Sequence, residues 1–143
     1  MKLTIDTDGR ILIEEAAGRR VTWPLYSKEA FERISRQWLR VGWNQRYLYT
    51  FTWMGRPVIQ LPEDLLRAQE VVYRVRPDVL IETGVAHGGS LVFYASLFKA
   101  MNHGRVIGVD AEIRPHNRVA IERHELSRLI TLVEGDSISP DRT

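Results

Sequence analysis

The chain has 143 residues, 20 basic and 18 acidic side chains, a net charge of +2 and no cysteine. That length suits one domain able to bury about two thirds of its unfolded surface, and the lack of cysteine excludes disulfides, thiolate nucleophiles and cysteine-ligated zinc. No run approaches the roughly 18 apolar residues of a membrane span, Asp6 and Asp8 stand where an export signal would be apolar, and the charges intersperse rather than form a basic stripe for nucleic acid.

In chain order, Leu3 and Ile5, then Ile11 and Ile13, alternate with polar residues around Asp8-Gly9. This predicts a hairpin whose turn needs positive φ at both central residues. Arg20 to Trp23 reads as a short third strand stopped by Pro24. Ser27 is a helix N-cap, and Phe31, Ile34, Trp38 and Val41 recur at helical spacing as one apolar face, with Gly42 as the end. The aromatic stretch from Arg46 to Pro57 lacks periodicity and reads as packing between layers rather than a cofactor box. Pro62, Glu63 and Asp64 begin a second helix that ends before Pro77.

From there the pattern is strand, helix, strand, helix, strand. The strands are Val79 to Ile81, Val106 to Val109 and Leu129 to Val133, and the helices are Leu91 to Met101 and Pro115 to Leu126. Short apolar runs of this kind fit strands covered on both faces, in right-handed βαβ units with a parallel sheet. The fold class is therefore α/β, a Rossmann-like parallel sheet preceded by a hairpin and helix. Residues 1–60 form the lead-in, and 61–143 the first half of the ligand-binding domain.

Three polar sites end the three strands: Glu82 to Ser90, Asp110, and Gly135-Asp136-Ser137. Open α/β sheets bind ligands beyond the carboxyl ends of their strands, so the three sites share one rim. Gly84, Gly88 and Gly89 permit a sharp turn and close approach, and the next helix N-terminus offers free N–H groups. Asp110 can accept both hydroxyls of a ribose, and Asp136 the exocyclic amine of adenine. Glu82 would repel a pyrophosphate and attract an ammonium group. S-adenosylmethionine (SAM) carries the second and NAD the first. Gly84-x-x-x-Gly88-Gly89 also departs from the G-x-G-x-x-G of dinucleotide binders.

The run Arg76 to Ser90, Gly108-Val109-Asp110, Ile113 to Asn117, Ile130 to Ser137 and the lead-in Trp53 to Pro62 resemble the cephalosporin hydroxylase / rhamnosyl O-methyltransferase family, over roughly residues 46–138. The resemblance implies a class I SAM-dependent methyltransferase fold acting on a hydroxyl of a sugar or secondary metabolite. It also implies that Glu82, Gly84, His87, Gly88 and Ser90 surround the methionine part of SAM, that Asp110 holds the ribose, that Ile113 covers the adenine face, and that Asp136 meets the adenine amine. Similar enzymes often use a divalent metal such as Mg2+.

The family continues with a fourth strand, an Asp-rich motif and three more strands, where metal and substrate residues are expected. The first strand would then be an open edge, an association hazard. The chain is accordingly expected to be a fragment, a truncated product, or a chain that pairs with another copy or a partner, inactive alone. The expected location is the cytoplasm, with neither nucleic acid nor membrane as partner. The rival readings are a non-catalytic SAM-binding or assembly module and an NAD(P)-binding domain. Catalytic residues are not assigned; for His87 and His116 a structural role outweighs a catalytic one.

Overall fold

The structure, a computed structural model, describes residues 1–136. The alternating N-terminal residues form an antiparallel meander of β1 (Lys2–Asp6), β2 (Ile11–Ala16) and β3 (Arg19–Pro24). The turn chemistry differs from the expectation. Asp8-Gly9 is not a two-residue primed turn. The first loop spans four residues, its one positive φ falls on Arg10 (53°), and Asp6 Oδ1 accepts the Gly9 N–H at 2.8 Å. The aspartate side chain thus replaces a backbone acceptor and lengthens the turn. The primed turn instead joins β2 to β3, where Ala17 and Gly18 have φ of 48° and 74°.

Helix α1 (Lys28–Asn44) begins at Ser27, whose Oγ accepts the Ala30 N–H at 3.2 Å. It runs past Gly42, because one glycine costs a helix only about 1 kcal/mol. The expected apolar face is not a buried one: Phe31 and Val41 are 70% and 60% exposed, and Ala30 is the buried residue. Three short strands have too little apolar surface to cover a five-turn helix. Arg33 ties helix to meander, with its guanidinium 3.7 Å from the Trp23 ring and its Nε 3.0 Å from Glu14. These elements make up one unit, Met1–Tyr47; a second begins at Leu48.

The aromatic stretch of the second unit folds as a hairpin of β4 (Phe51–Trp53) and β5 (Arg56–Val58), turned at Met54 and Gly55 with φ of 45° and 83°. Helix α2 (Pro62–Val75) follows as expected, ended by Arg76 in the left-handed region. Then come β6 (Val79–Thr83), α3 (Gly89–Met101), β7 (Arg105–Asp110), α4 (Pro115–Glu122) and β8 (Ile130–Glu134), with β6, β7 and β8 parallel and adjacent in that order. This is the α/β architecture the strand–helix alternation predicts. Helix α4 is shorter than expected, giving way before Leu126 to a 3-10 turn over Ser127–Leu129.

Helix α3 is apolar on most sides because it is packed on most sides, touching β7 as well as α2, β4 and β5. Leu91, Val92, Phe93, Ala95 and Phe98 are buried, and Trp53 meets Phe93 edge-on at 5.0 Å while its indole N–H donates to Ser96. The aromatic stretch is here a packing layer, as its lack of periodicity suggested. Strand β6 is covered on one face only among the described residues: Ile81 is 64% exposed. The expectation of cover on both faces is not met there. Among these residues no helix is long and apolar enough to cross a membrane.

Candidate functional site

The carboxyl ends of the parallel strands are stitched into one rim. Beyond the strands, the Gly84 N–H donates to Val109 O at 2.8 Å and the Gly135 N–H to Asp110 O at 2.7 Å. Asp110 joins them with its side chain: Oδ2 accepts the Val85 N–H at 2.7 Å and the Ala86 N–H at 3.4 Å, and Oδ1 the Glu112 N–H at 3.3 Å. Burial alone would raise this carboxyl, but the N–H groups of Val85, Glu112, Ala86 and Ala111 outweigh it and hold it below the usual carboxylate range. An ionised carboxylate has about four acceptor positions, so these N–H groups take up most of the capacity of Asp110, which braces the turn through one short bond to Val85 and longer ones to Ala86 and Glu112.

The glycine turn is held from behind. Gly84 and Gly88 have φ of 91° and 78°, which side chains rarely adopt, and a Cβ on Gly84 would meet open space. Arg56, on β5, donates to His87 O from Nε at 3.0 Å and from Nη2 at 2.5 Å, and to Asn117 Oδ1 at 3.1 Å. Asn117, on α4 and 4% exposed, donates from Nδ2 to Ala86 O at 2.8 Å. Two carbonyls of the turn are therefore clamped by residues about 30 positions away on either side. Asn117→Ala should lose about 1–3 kcal/mol, because Ala86 O stays without that donor and Arg56 loses one acceptor. Chemical denaturation compared with a surface control such as Asn44→Ala measures this.

Behind the turn lies Glu82. It is largely buried, and desolvation raises its carboxyl above the usual range, partly offset by a hydrogen bond from Ser90. Its Oε2 is shut off from solvent with no hydrogen-bond partner, and so is Gln60 Oε1. Its charge, after burial, also raises the phenol of Tyr94, one helical turn beyond Ser90. Gln60, Glu82, Gly84, His87, Gly88 and Ser90 are among the residues that line one cavity of about 120 Å³. Pockets that take a whole drug-sized ligand run from roughly 300 Å³ upward, so this one suits the end of a ligand.

Five of the expected site residues, Glu82, Gly84, His87, Gly88 and Ser90, thus share the cavity. Asp110 stands beside them and binds the turn. Ile113 is 4% exposed and packs in the core with Ile121 and Leu126. Asp136 is exposed after β8, next to the Gly135 that bonds Asp110; Ser137 lies outside the described residues. Near them Arg118 donates to Glu134 at 2.8 Å, which lowers the Glu134 carboxyl. No group of three or more His, Asp or Glu able to hold a metal occurs among the described residues. Sequence reasoning missed Gln60, Arg56 and Asn117 as site residues. All three fall inside the quoted family segments, but nothing in their spacing points to the turn they serve.

The family described as rhamnosyl O-methyltransferase/CmcI matches over residues 45–142, about two thirds of the chain. A solved structure of CmcI with SAH is 26% identical, aligns over 65% of this chain and 47% of its own, and has a TM-score of 0.49. The chain therefore spans about half the length of that structure. No protein of curated function matches.

Proposed function

Because this chain belongs to the rhamnosyl O-methyltransferase/CmcI family, we propose that its rim binds SAM and serves methyl transfer to a hydroxyl group of a sugar or secondary metabolite. The observation that carries the reading is Glu82: a buried carboxylate with an unpartnered oxygen at the end of the first parallel strand, under a glycine turn. Such a group favours a cation in the cavity and opposes the pyrophosphate of a dinucleotide.

The residues present fit the cofactor. The open space before Gly84 is where a Cβ would intrude on a ligand. Glu82 would hold the ammonium, with His87 and Ser90 bordering it. The first N–H groups of α3 would meet the carboxylate, with the helix dipole aiding them. Asp110 would accept ribose hydroxyls in exchange for its long bonds to Ala86 and Glu112, Ile113 would back the adenine face, and Asp136 would accept the adenine amine. When bound, SAM supplies a sulfonium methyl open to direct displacement by an acceptor oxygen. The chain's part is to fix that group so that the acceptor meets it in line. Among the described residues no group of three or more His, Asp or Glu is placed to hold Mg2+.

Calorimetric titration tests the reading. SAM should give saturable binding, NAD none, and Asp110→Asn should weaken SAM by roughly tenfold or more, the effect of losing charge-assisted hydrogen bonds. Binding of NAD in preference to SAM would reverse the assignment. Unfolding of the variant, followed in parallel, separates loss of the site from loss of the turn that Asp110 braces.

A further inference from the structure

The segment between β5 and α2 crosses the cavity, and its polar member is Gln60. Its Oε1 is cut off from solvent and accepts no hydrogen bond. Buried amide oxygens are nearly always paired, so an orphan beside a cavity points to an absent donor. Glu82, on the same cavity, repeats the observation with Oε2. Two unpaired acceptors on one small cavity select the chemistry of what enters. A hydroxyl brings one proton, a carboxylate or phosphate none, and a primary ammonium three together with the charge that Glu82 favours.

We propose that Gln60 is a specificity-determining residue of this site, its side-chain carbonyl acting with the Glu82 carboxylate to receive the primary ammonium group at the amino-acid end of the ligand. This rests on the SAM reading and deepens it. Gln60 and Glu82 are 22 positions apart in sequence, on a loop and on a strand. The loop is anchored on either side, by Val58, buried against Leu65 and Phe93, and by Pro62 at the first position of α2. A neutral acceptor beside the carboxylate adds a directed hydrogen bond without a second buried charge, which would be costly next to the first.

The test uses the whole chain, S-adenosylhomocysteine, and 5′-methylthioadenosine, which shares the adenosine and sulfur but lacks the amino-acid end. Both are titrated calorimetrically into wild type, Gln60→Met and Gln60→Glu. Gln60→Met keeps the length and removes the acceptor. It should lose about tenfold in affinity for S-adenosylhomocysteine, the effect of one hydrogen bond to a charged group, with methylthioadenosine unchanged. Gln60→Glu sets a carboxyl near Glu82, where burial and the neighbouring charge keep it protonated, so it still offers a neutral carbonyl acceptor and should hold S-adenosylhomocysteine within about threefold of wild type, a difference well short of one such bond. Unchanged S-adenosylhomocysteine affinity in Gln60→Met, or equal losses for both ligands, overturns the assignment. If Gln60→Met does not fold, a tenfold loss of S-adenosylhomocysteine by Gln60→Glu with methylthioadenosine retained overturns it as well. Wild type that binds methylthioadenosine as tightly as S-adenosylhomocysteine removes the ammonium subsite and leaves the adenosine reading standing. Wild type that binds neither removes both.

Discussion

Gly89→Ala should destabilise the chain by about 3 kcal/mol or more, at the upper end of overpacking costs. A Cβ there would lie 2.0 Å from the Pro57 carbonyl oxygen, 2.5 Å from its carbon and 2.8 Å from Val58 Cα. All three are backbone atoms, so no side chain can swing aside. The first turn of α3 would have to leave β5, and with it the Arg56 clamp on the glycine turn. Against a typical total of 5–15 kcal/mol, the midpoint of thermal unfolding should fall by about 10 °C. Gly55→Ala is the control: its φ is 83° but nothing stands within 4 Å, so only backbone strain of about 1 kcal/mol applies. Equal effects from the two substitutions would show that α3 does not approach β5 this closely.

Glu82→Gln should move stability and binding in opposite directions. Desolvation raises the Glu82 carboxyl in the folded chain, so between the ordinary carboxylate pKa and that raised value the folded state holds more protons than the unfolded one. Stability from this group is therefore greatest below the ordinary value and declines as pH rises through the window. At neutral pH the carboxylate is a burden that the amide relieves. Glu82→Gln should unfold at higher temperature than wild type at pH 7, with the difference shrinking toward pH 4. Its affinity for S-adenosylhomocysteine should drop by roughly ten- to a hundredfold, the range for hydrogen bonds to charged groups. Paired thermal scans from pH 4 to 8 and a titration at pH 7 measure both. A variant less stable at pH 7 would mean that the Ser90 hydrogen bond outweighs burial. Unchanged affinity would take Glu82 out of the site. A group kept at a cost to the fold is what a binding site requires.

The sequence by itself determined the second unit in outline. Apolar runs at Val79, Val106 and Ile130, separated by helical stretches, are a local pattern, and βαβ handedness then brings Glu82, Asp110 and Asp136 to one rim without further information. Ser27 and Pro62 announced their helices because capping depends on neighbours in sequence. Tertiary structure decided what depends on distant neighbours. Asp8-Gly9 carried the stronger hairpin signal, yet the primed turns formed at Ala17-Gly18 and Met54-Gly55, because Asp6 captured the first loop and strand register governed the others. The helical spacing of Phe31 and Val41 described a face of α1 but could not say whether anything covers it. Gln60 on the same cavity as Glu82, Arg56 on His87, Asn117 on Ala86 and Pro57 against Gly89 are pairings across some 20 to 30 residues. Local periodicity carries no record of such pairings. They exist only once the sheet, α3 and the β4–β5 hairpin have packed, and they turn a glycine-rich loop into a shaped cavity.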